Sequence, residues 1–544
     1  MRTAHRRTAL TALVMASALV LVGCSGSDDP DDDVTGDTGD DAAPTGSVIL
    51  ANGTEPQNPL IPADTNEVGG GKILDLMFAG LVHYEADGTT VNEIAESFES
   101  NEDYTEWTIT INDGWEFTNG EPVTAASFVN AWKDGAYRLN SYFFSYIEGF
   151  DDEAMTELSG VEVVDDTTFT VKLVEATADF PLHLGYSAYY PLPEVFFDDP
   201  EAFGQNPIGN GPYMFDGEDA WQHNVEVSLV PNPGYNGVRP AENAGVTLVF
   251  YQSQDAAYND LLAGQLDVLD AIPDSAFGTY EDDLEGRSVS QGAAVFQSFT
   301  IPMALEHFSG EEGQLRRAAL SHAINREEIT EEIFQGTRTP AHDFTSPVVA
   351  GYSEDIPGSD VLEFDPDRAR ELWAEAEAIA PFTGTFTLAY NADGGHQAWV
   401  DAVTNSIRNV LEISAEGAPY PTFAEMRTDV TERTITGAFR TGWQADYPSM
   451  SNFLGPLYAT GAGSNDGDYS NPEFDRLVAE AGSIIADDEE AGIAMLQEAQ
   501  ELLFQDLPAI PLWYSTATGG WSENVENVEF GWNGVPVFEK ITKA

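Results

Sequence analysis

Ninety-three aspartates and glutamates stand against only twenty-two lysines and arginines, a formal charge of −71 at neutral pH. A chain so charged repels itself strongly and excludes nucleic acid as a natural partner. The composition is otherwise that of a globular protein, with 42% hydrophobic and 11% aromatic residues, so there is material for a large core. The acids must therefore cover the surface, along the whole length. Lysine is nearly absent, confined to Lys72, Lys133, Lys172, Lys540 and Lys543. Solubility alone needs far less charge. At molar salt the Debye length falls to roughly 3 Å, which screens the repulsion and leaves a hydrated carboxylate surface. The charge thus describes a halophilic habitat, a salt-rich exterior with an acidic proteome, rather than a substrate. The chain is expected to unfold when salt is lowered from molar to tens of millimolar, followed by circular dichroism; a fold that survives would contradict this reading.

The N-terminus agrees with an exterior location. Arg2, Arg6 and Arg7 precede an apolar run from Ala9 to Val22, which has the length of a signal peptide and is too short to cross a ~30 Å hydrocarbon layer. Leu21, Val22, Gly23 and Cys24 have the form of a bacterial lipobox, in which the thiolate takes a diacylglycerol chain and cleavage leaves Cys24 first. An ordinary signal peptide with a chance cysteine is the other reading of these four residues. Loss of residues 1–23 would make the remainder three charges more negative. Cys24 is the only cysteine, so no intramolecular disulfide is available and stability must come from core size. About 500 residues imply two or three lobes. No second apolar run has spanning length.

From Ser25 to Ser47 eight aspartates sit among Gly, Ser, Thr and Pro, with Val34 the one large apolar residue. This segment reads as a disordered acidic tether, extended to at least roughly 25 Å. After it the pattern is globular. Strands are expected at Val48–Ala51, Trp107–Ile111, Val161–Val164, Thr168–Val174, Val225–Val230 and Val246–Tyr251, with a hairpin turn at Asp165-Asp166. Helices are expected at Thr124–Arg138, Ser253–Ala263, Gln314–Ile324, Asp367–Ile379 and Gln397–Leu411. The class is mixed α/β, with more β in the first half and more α in the second.

Several ordered blocks carry a resemblance. They are Phe78-Ala79-Gly80-Leu81-Val82 with Asp87-Gly88; Asn112-Asp113-Gly114 through Phe117, Asn119-Gly120 and Pro122-Val123-Thr124; and Ile208-Gly209-Asn210-Gly211-Pro212-Tyr213. Leu266-Asp267-Val268, Leu315-Arg316-Arg317-Ala318, Ile324-Asn325-Arg326 and Tyr390-Asn391 follow. Gly442-Trp443-Gln444-Ala445-Asp446-Tyr447, Tyr469 through Asp475, and Asp506 through Leu512 complete the set. From about Ser47 to the C-terminus the chain resembles the family 5 extracellular solute-binding proteins that deliver peptides to ABC importers. Glu55 to Leu60 and Asn391 to Val400 are most similar to the actinobacterial oligopeptide-binding lipoproteins. The resemblance implies a fold like the type II periplasmic binding proteins, two hinged lobes plus an inserted domain. One lobe would comprise 48–78, 207–297 and 509–544, the inserted domain 79–206, and the other lobe 298–508. It also implies an oligopeptide ligand, permease subunits as partners, no cofactor, and a monomer anchored by lipid on the outer face of the cell membrane.

The segment around Arg440 to Tyr447 carries the chemistry. Ile435 to Trp443 reads as a buried strand ending near a cation, then an acid, with Trp443 and Tyr447 placed to wall a cavity. A carboxylate at Asp446 suits a peptide α-ammonium in a low-dielectric pocket. The resemblance implies that role for Asp446, a place near the ligand for Arg440, its far end for His396, and a site tyrosine at Tyr142. Each residue has a plainer reading. Trp443 would be core, Asp446 and Arg440 an internal ion pair, and His396 the cap of the helix after it. The register around Tyr142 is open, because Leu139 to Ile147 is rich in aromatics. Pro62-Ala63-Asp64 stands where the family carries acidic residues, which leaves that side of the pocket undefined. The aspartates of Ser464–Asp475 loosely suggest a calcium loop, but their spacing does not fit the EF-hand pattern.

An enzyme is poorly supported. There is no Gly-x-Ser-x-Gly, no His-Glu-x-x-His and no phosphate-binding loop, and the eight histidines lack metal-ligand spacing. A surface hydrolase, a peptide sensor without transport, and a binder of sugars or metal chelates remain as other readings, since one fold hosts several ligand classes.

Overall fold

The computed structural model describes residues 46–65, 67–151 and 158–543. The leader at 1–23, Cys24 and all but the last two residues of the acidic tether lie outside the described residues. Two strands of thirteen residues, Ser288–Thr300 and Ala509–Trp521, pair antiparallel in the middle of a twelve-stranded sheet. On one side of them come Val268–Leu269, Ile49–Gly53, Val246–Phe250, Glu226–Pro231 and Tyr213–Phe215. On the other come Ala438–Gln444, Phe386–Asn391 and Ala415–Tyr420. Ile49–Gly53 and Val246–Phe250 run parallel, as does Phe386–Asn391 with both its neighbours. Ile49–Gly53 and Val246–Phe250 are mostly buried and apolar, which is why they stand out in the sequence, whereas Phe386–Asn391 and the half-exposed Ala415–Tyr420 are not among the expected strands. The register of the central pair shifts between Gly292 and Phe296 and again between Gln297 and Ser298. The bulges fall where the ribbon passes from one half of the sheet to the other, and they bend it there.

The residues between the first helix and Tyr213 build a separate four-stranded antiparallel sheet, in the order Ala95–Ser100, Glu106–Ile111, Thr168–Lys172, Val161–Val163. The expected turn at Asp165-Asp166 closes its last hairpin: the Val164 amide donates to the Thr168 carbonyl at 2.8 Å and Asp165 Oδ1 accepts from the Thr167 amide. The six expected strands fall within two residues of those observed. Helices follow their caps. Thr124 and Ser127 exchange hydrogen bonds at the head of Ala125–Gly135, and Asp365 accepts from the Arg368 amide ahead of Pro366–Ile379. Two helices depart from expectation: Ala125–Gly135 ends three residues before Arg138. Gly310–His322 begins four residues before Gln314, because Glu311 and Glu312 favour a helix N-terminus and Ser309 lies just ahead of it.

Among the described residues five acids are buried: Glu93, Asp267, Asp343, Asp466 and Glu539. The remaining described carboxylates face water or a cavity, as the charge balance requires. The loop around Ser464–Asp475 gives its acids to arginines: Asp466 accepts from Arg427 and Arg433, and Asp468 from Arg433 at 3.0 Å.

Three arginines of the blocks that carry the resemblance hold the second half together from inside. Arg317 is 1% exposed and donates to the carbonyls of Ile301, Pro302, Phe308 and Leu507. Arg326 donates to Leu362 and Pro511 carbonyls, and Arg316 stacks on Trp373 while pairing with Glu312 and Glu377. Guanidinium forks thus bind the ends of both central strands to the helices beside them. Replacing Arg317 with Met strands four buried carbonyls. Urea unfolding of Arg317→Met should show a loss of about 3–5 kcal/mol.

Candidate functional site

The strand Ala438–Gln444 buries only its first two residues; Arg440, Thr441 and Trp443 are half-buried, and Gly442 and Gln444 exposed. It starts three residues later than the apolar run suggests, since Ile435 to Gly437 belong to the turn before it. Beyond its end, Asp446 sits within the fold and accepts a hydrogen bond on Oδ2 from the Asn452 side chain at 3.1 Å. Asn452 Oδ1 in turn accepts from the Asp446 amide at 2.9 Å and from the Trp443 indole at 3.0 Å. One buried amide from the helix Met450–Tyr458 therefore fixes both the acid and the tryptophan. That helix begins there because Ser449 caps it.

Burial pushes the Asp446 carboxyl up to about 7, with Asn452 opposing the shift. No cation contributes. Five phenols gather around it: Tyr84, Tyr142, Tyr146, Tyr186 and Tyr447 all titrate above the usual range, first through burial and further through the Asp446 charge. They remain protonated, so the wall about the carboxylate is aromatic, neutral and able to donate hydrogen bonds.

Asp446 opens onto a cavity of about 340 Å³. Gln444, Ala445 and Asp446 line it from one half of the molecule. Asp75, Tyr84, Tyr186 and Tyr190 line it from the other, and Trp532 and Glu539 from the C-terminal segment. Tyr84 donates to the Leu182 carbonyl at 2.7 Å and meets Trp532 edge-on at 5.8 Å. Trp443, Tyr447, Tyr142 and Tyr146 stand outside this lining. Trp443 packs against the core beside Phe296, and Tyr447 stacks on His183 at 4.2 Å. Tyr142 leaves 38% of its surface open, lies 4.2 Å from Phe143, and feels the Asp446 charge. The neighbouring Phe143 and Phe144 are core, which settles which aromatic of this stretch is turned outward.

Arg440 and His396 form a second group. Arg440 Nε donates to Asn391 Oδ1 at 2.8 Å and its guanidinium lies 4.9 Å over the Phe423 ring. His396 precedes the helix Gln397–Leu411, yet its side chain does not cap the backbone; Nδ1 accepts from the Trp399 indole at 3.1 Å. A Cβ on Gly394 would come within 2.5 Å of His396 Nε2 and 2.6 Å of the Asn391 side-chain nitrogen, so Gly394 lets these groups converge. Arg440 is six residues from Asp446, roughly 20 Å of extended chain. An internal pair of the two is not what the fold builds.

Sequence reasoning did not find Asn452, Tyr84, Tyr146, Tyr186 or Trp532. Only the Ser449 cap, which predicts a helix start facing Asp446, could have pointed to Asn452. The phenols come from segments hundreds of residues away.

A family model described as bacterial extracellular solute-binding proteins, family 5 middle, matches residues 89–465. The oligopeptide-binding protein OppA of Bacillus subtilis is 24% identical over 96% of this chain and 97% of its own. The dipeptide-binding protein DppE of the same organism is 25% identical over 95% of each. Among solved structures, Haemophilus influenzae OppA in complex with RPPGFSPFR superposes with a TM-score of 0.75 at 21% identity, covering 92% of this chain and 99% of that one. The structural likeness establishes the type II periplasmic-binding-protein fold.

A carboxyl near 7 in the fold and near 4 when unfolded takes up protons on folding, so it destabilises increasingly as pH rises through that interval and no further above it. Asp446→Asn removes the penalty. In ligand-free protein the variant should gain about 2–3 kcal/mol relative to its parent between pH 5 and pH 8, read from urea midpoints.

Proposed function

Because the chain belongs to the family 5 bacterial extracellular solute-binding proteins, a family of binders and not of enzymes, we propose that it captures oligopeptides by their charged ends and delivers them to a membrane permease. The observation that carries the proposal is Asp446. A carboxylate taken into the fold with one amide for company, ringed by phenols and open to a cavity, is completed by an ammonium. The group around Arg440 and His396 supplies the opposite charge for a carboxylate, so the two clusters match a zwitterion with free termini. Relatives named as oligopeptide- and dipeptide-binding proteins fit the same chemistry.

Capture proceeds by closure. The halves on either side of the central ribbon approach over the ligand, and the bulges near Gly292 and Gln297 are where the ribbon bends. Tyr142 and Tyr186 pack against the peptide main chain near its amino end, while Asn452, shared with Trp443, keeps Asp446 aimed. The lobe and inserted-domain limits are those set out from the sequence. Acylation at Cys24 would tether the protein outside the membrane, within reach of the permease; the ATPase belongs to other subunits.

Calorimetric titration of the full chain at high salt with di- to hexapeptides and their N-acetylated forms tests this. Free peptides should bind, and both acetylation and Asp446→Asn should weaken binding about a hundredfold. Ammonium binding ionises Asp446, so affinity should rise about tenfold per pH unit from pH 5 to 7. Absence of heat with every peptide, or equal affinity for acetylated forms, would refute the anchor.

A further inference from the structure

Past Asp446 the same cavity holds charge that a single α-ammonium leaves unused. Asp75, from the helix Val68–Met77, presents its carboxylate to the cavity and accepts from the Tyr190 hydroxyl at 2.9 Å. Glu539 lines the cavity as well. It is 6% exposed, and among the described residues no other group donates a hydrogen bond to its carboxylate beyond its own backbone N–H. Burial raises both carboxyls above their ordinary range. A buried acid without a donor is expensive unless a ligand supplies one.

The nearby cations are engaged. Arg239 is within electrostatic reach of Asp75 and Glu539. Its Nε donates to Glu93 at 3.1 Å, and its terminal nitrogens to the Asp75 and Phe78 carbonyls. Lys72 pairs with Asp270, and Lys540 with Glu529 at 3.3 Å. Burial pushes His83 down to about 3, so it is neutral at any working pH. Tyr84 and Tyr186 feel the charges of both Asp446 and Asp75, which puts the two carboxylates around one pair of rings. A volume of about 340 Å³ holds far more than an ammonium and admits a long side chain.

We propose that this cavity selects peptides whose first residue is basic, with the α-ammonium on Asp446 and the side-chain cation received by Asp75 and Glu539. The inference rests on the peptide reading above and names the ligand class within it. A neutral first side chain would leave Asp75 and Glu539 with only the distant charges of Arg239 and, for Glu539, Lys540, whose hydrogen bonds go elsewhere, whereas lysine, ornithine or arginine offers a charge-assisted hydrogen bond.

The test is titration of the full chain with Lys-Ala-Ala and norleucine-Ala-Ala, which differ at the first residue by the ammonium alone. The lysine peptide should bind about tenfold tighter. In Asp75→Asn that preference, read as the ratio of the two affinities, should fall below about threefold. If circular dichroism shows Asp75→Asn to be misfolded, Glu539→Gln reads the same preference. Equal affinity of the two peptides for the parent, or a preference that survives both substitutions, overturns the inference and leaves peptide binding standing. Failure of both peptides to bind overturns the peptide reading and this inference with it.

Discussion

A carboxylate removed from water must be met by a cation or by several donors, and this chain has few cations to give. The interior shows how they are placed. Lys543 meets Asp267, Lys72 meets Asp270, Arg239 meets Glu93, and Arg427 with Arg433 meets Asp466. Where no cation is at hand, hydroxyls stand in: Asp343, fully buried, is held by Thr345 and Tyr514, and burial lifts its carboxyl to about 6. Asp446 departs from this pattern. It is enclosed, it has one amide and no cation, and it faces open volume. In a protein so short of positive charge, an acid met this sparsely stands apart from Asp267, Asp270, Glu93, Asp466 and Asp343, each of which has a cation or several hydroxyl and amide donors.

Arg440 and Asp446 belong to one stretch, the strand Ala438–Gln444 and the residues just beyond it, so their separation is set by backbone geometry. Their walls come from elsewhere. Contacts beside the cavity join the inserted sheet's connections to the opposite half: Ala178 donates to the Gly482 carbonyl at 2.6 Å, Ser451 to Asp179 at 3.3 Å, and Tyr447 lies flat on His183. These few contacts are polar or aromatic and lie at the rim.

Much of the architecture was legible because its signals are local. The cap at Thr124, the apolar runs of Ile49–Gly53 and Val246–Phe250 and the Asp165-Asp166 turn each report on a few neighbouring residues. Asp446 was legible through its block. What it rests on was not, because Asn452 is an ordinary helical asparagine until the fold turns it toward the acid. Trp443 illustrates the limit most clearly. An aromatic three residues from an acid suggests a wall, yet alternation along a strand sends it to the face that packs on the core, where it acts through Asn452. Asp75, Tyr190 and Glu539 share a cavity while lying as much as 464 positions apart. No window on the chain could bring them together.

The last long strand, Ala509–Trp521, occupies the middle of the large sheet, pairing with Ser288–Thr300 along its length and with Val268–Leu269 at its end. Its position in space is central while its position in the chain is nearly terminal. During synthesis, five hundred residues must therefore emerge before either half of the sheet gains the neighbour that closes its edge. Until then both halves present unpaired backbone. The order of the polypeptide thus withholds completion of the sheet until this strand emerges, and a chain truncated before it would be left with an open edge.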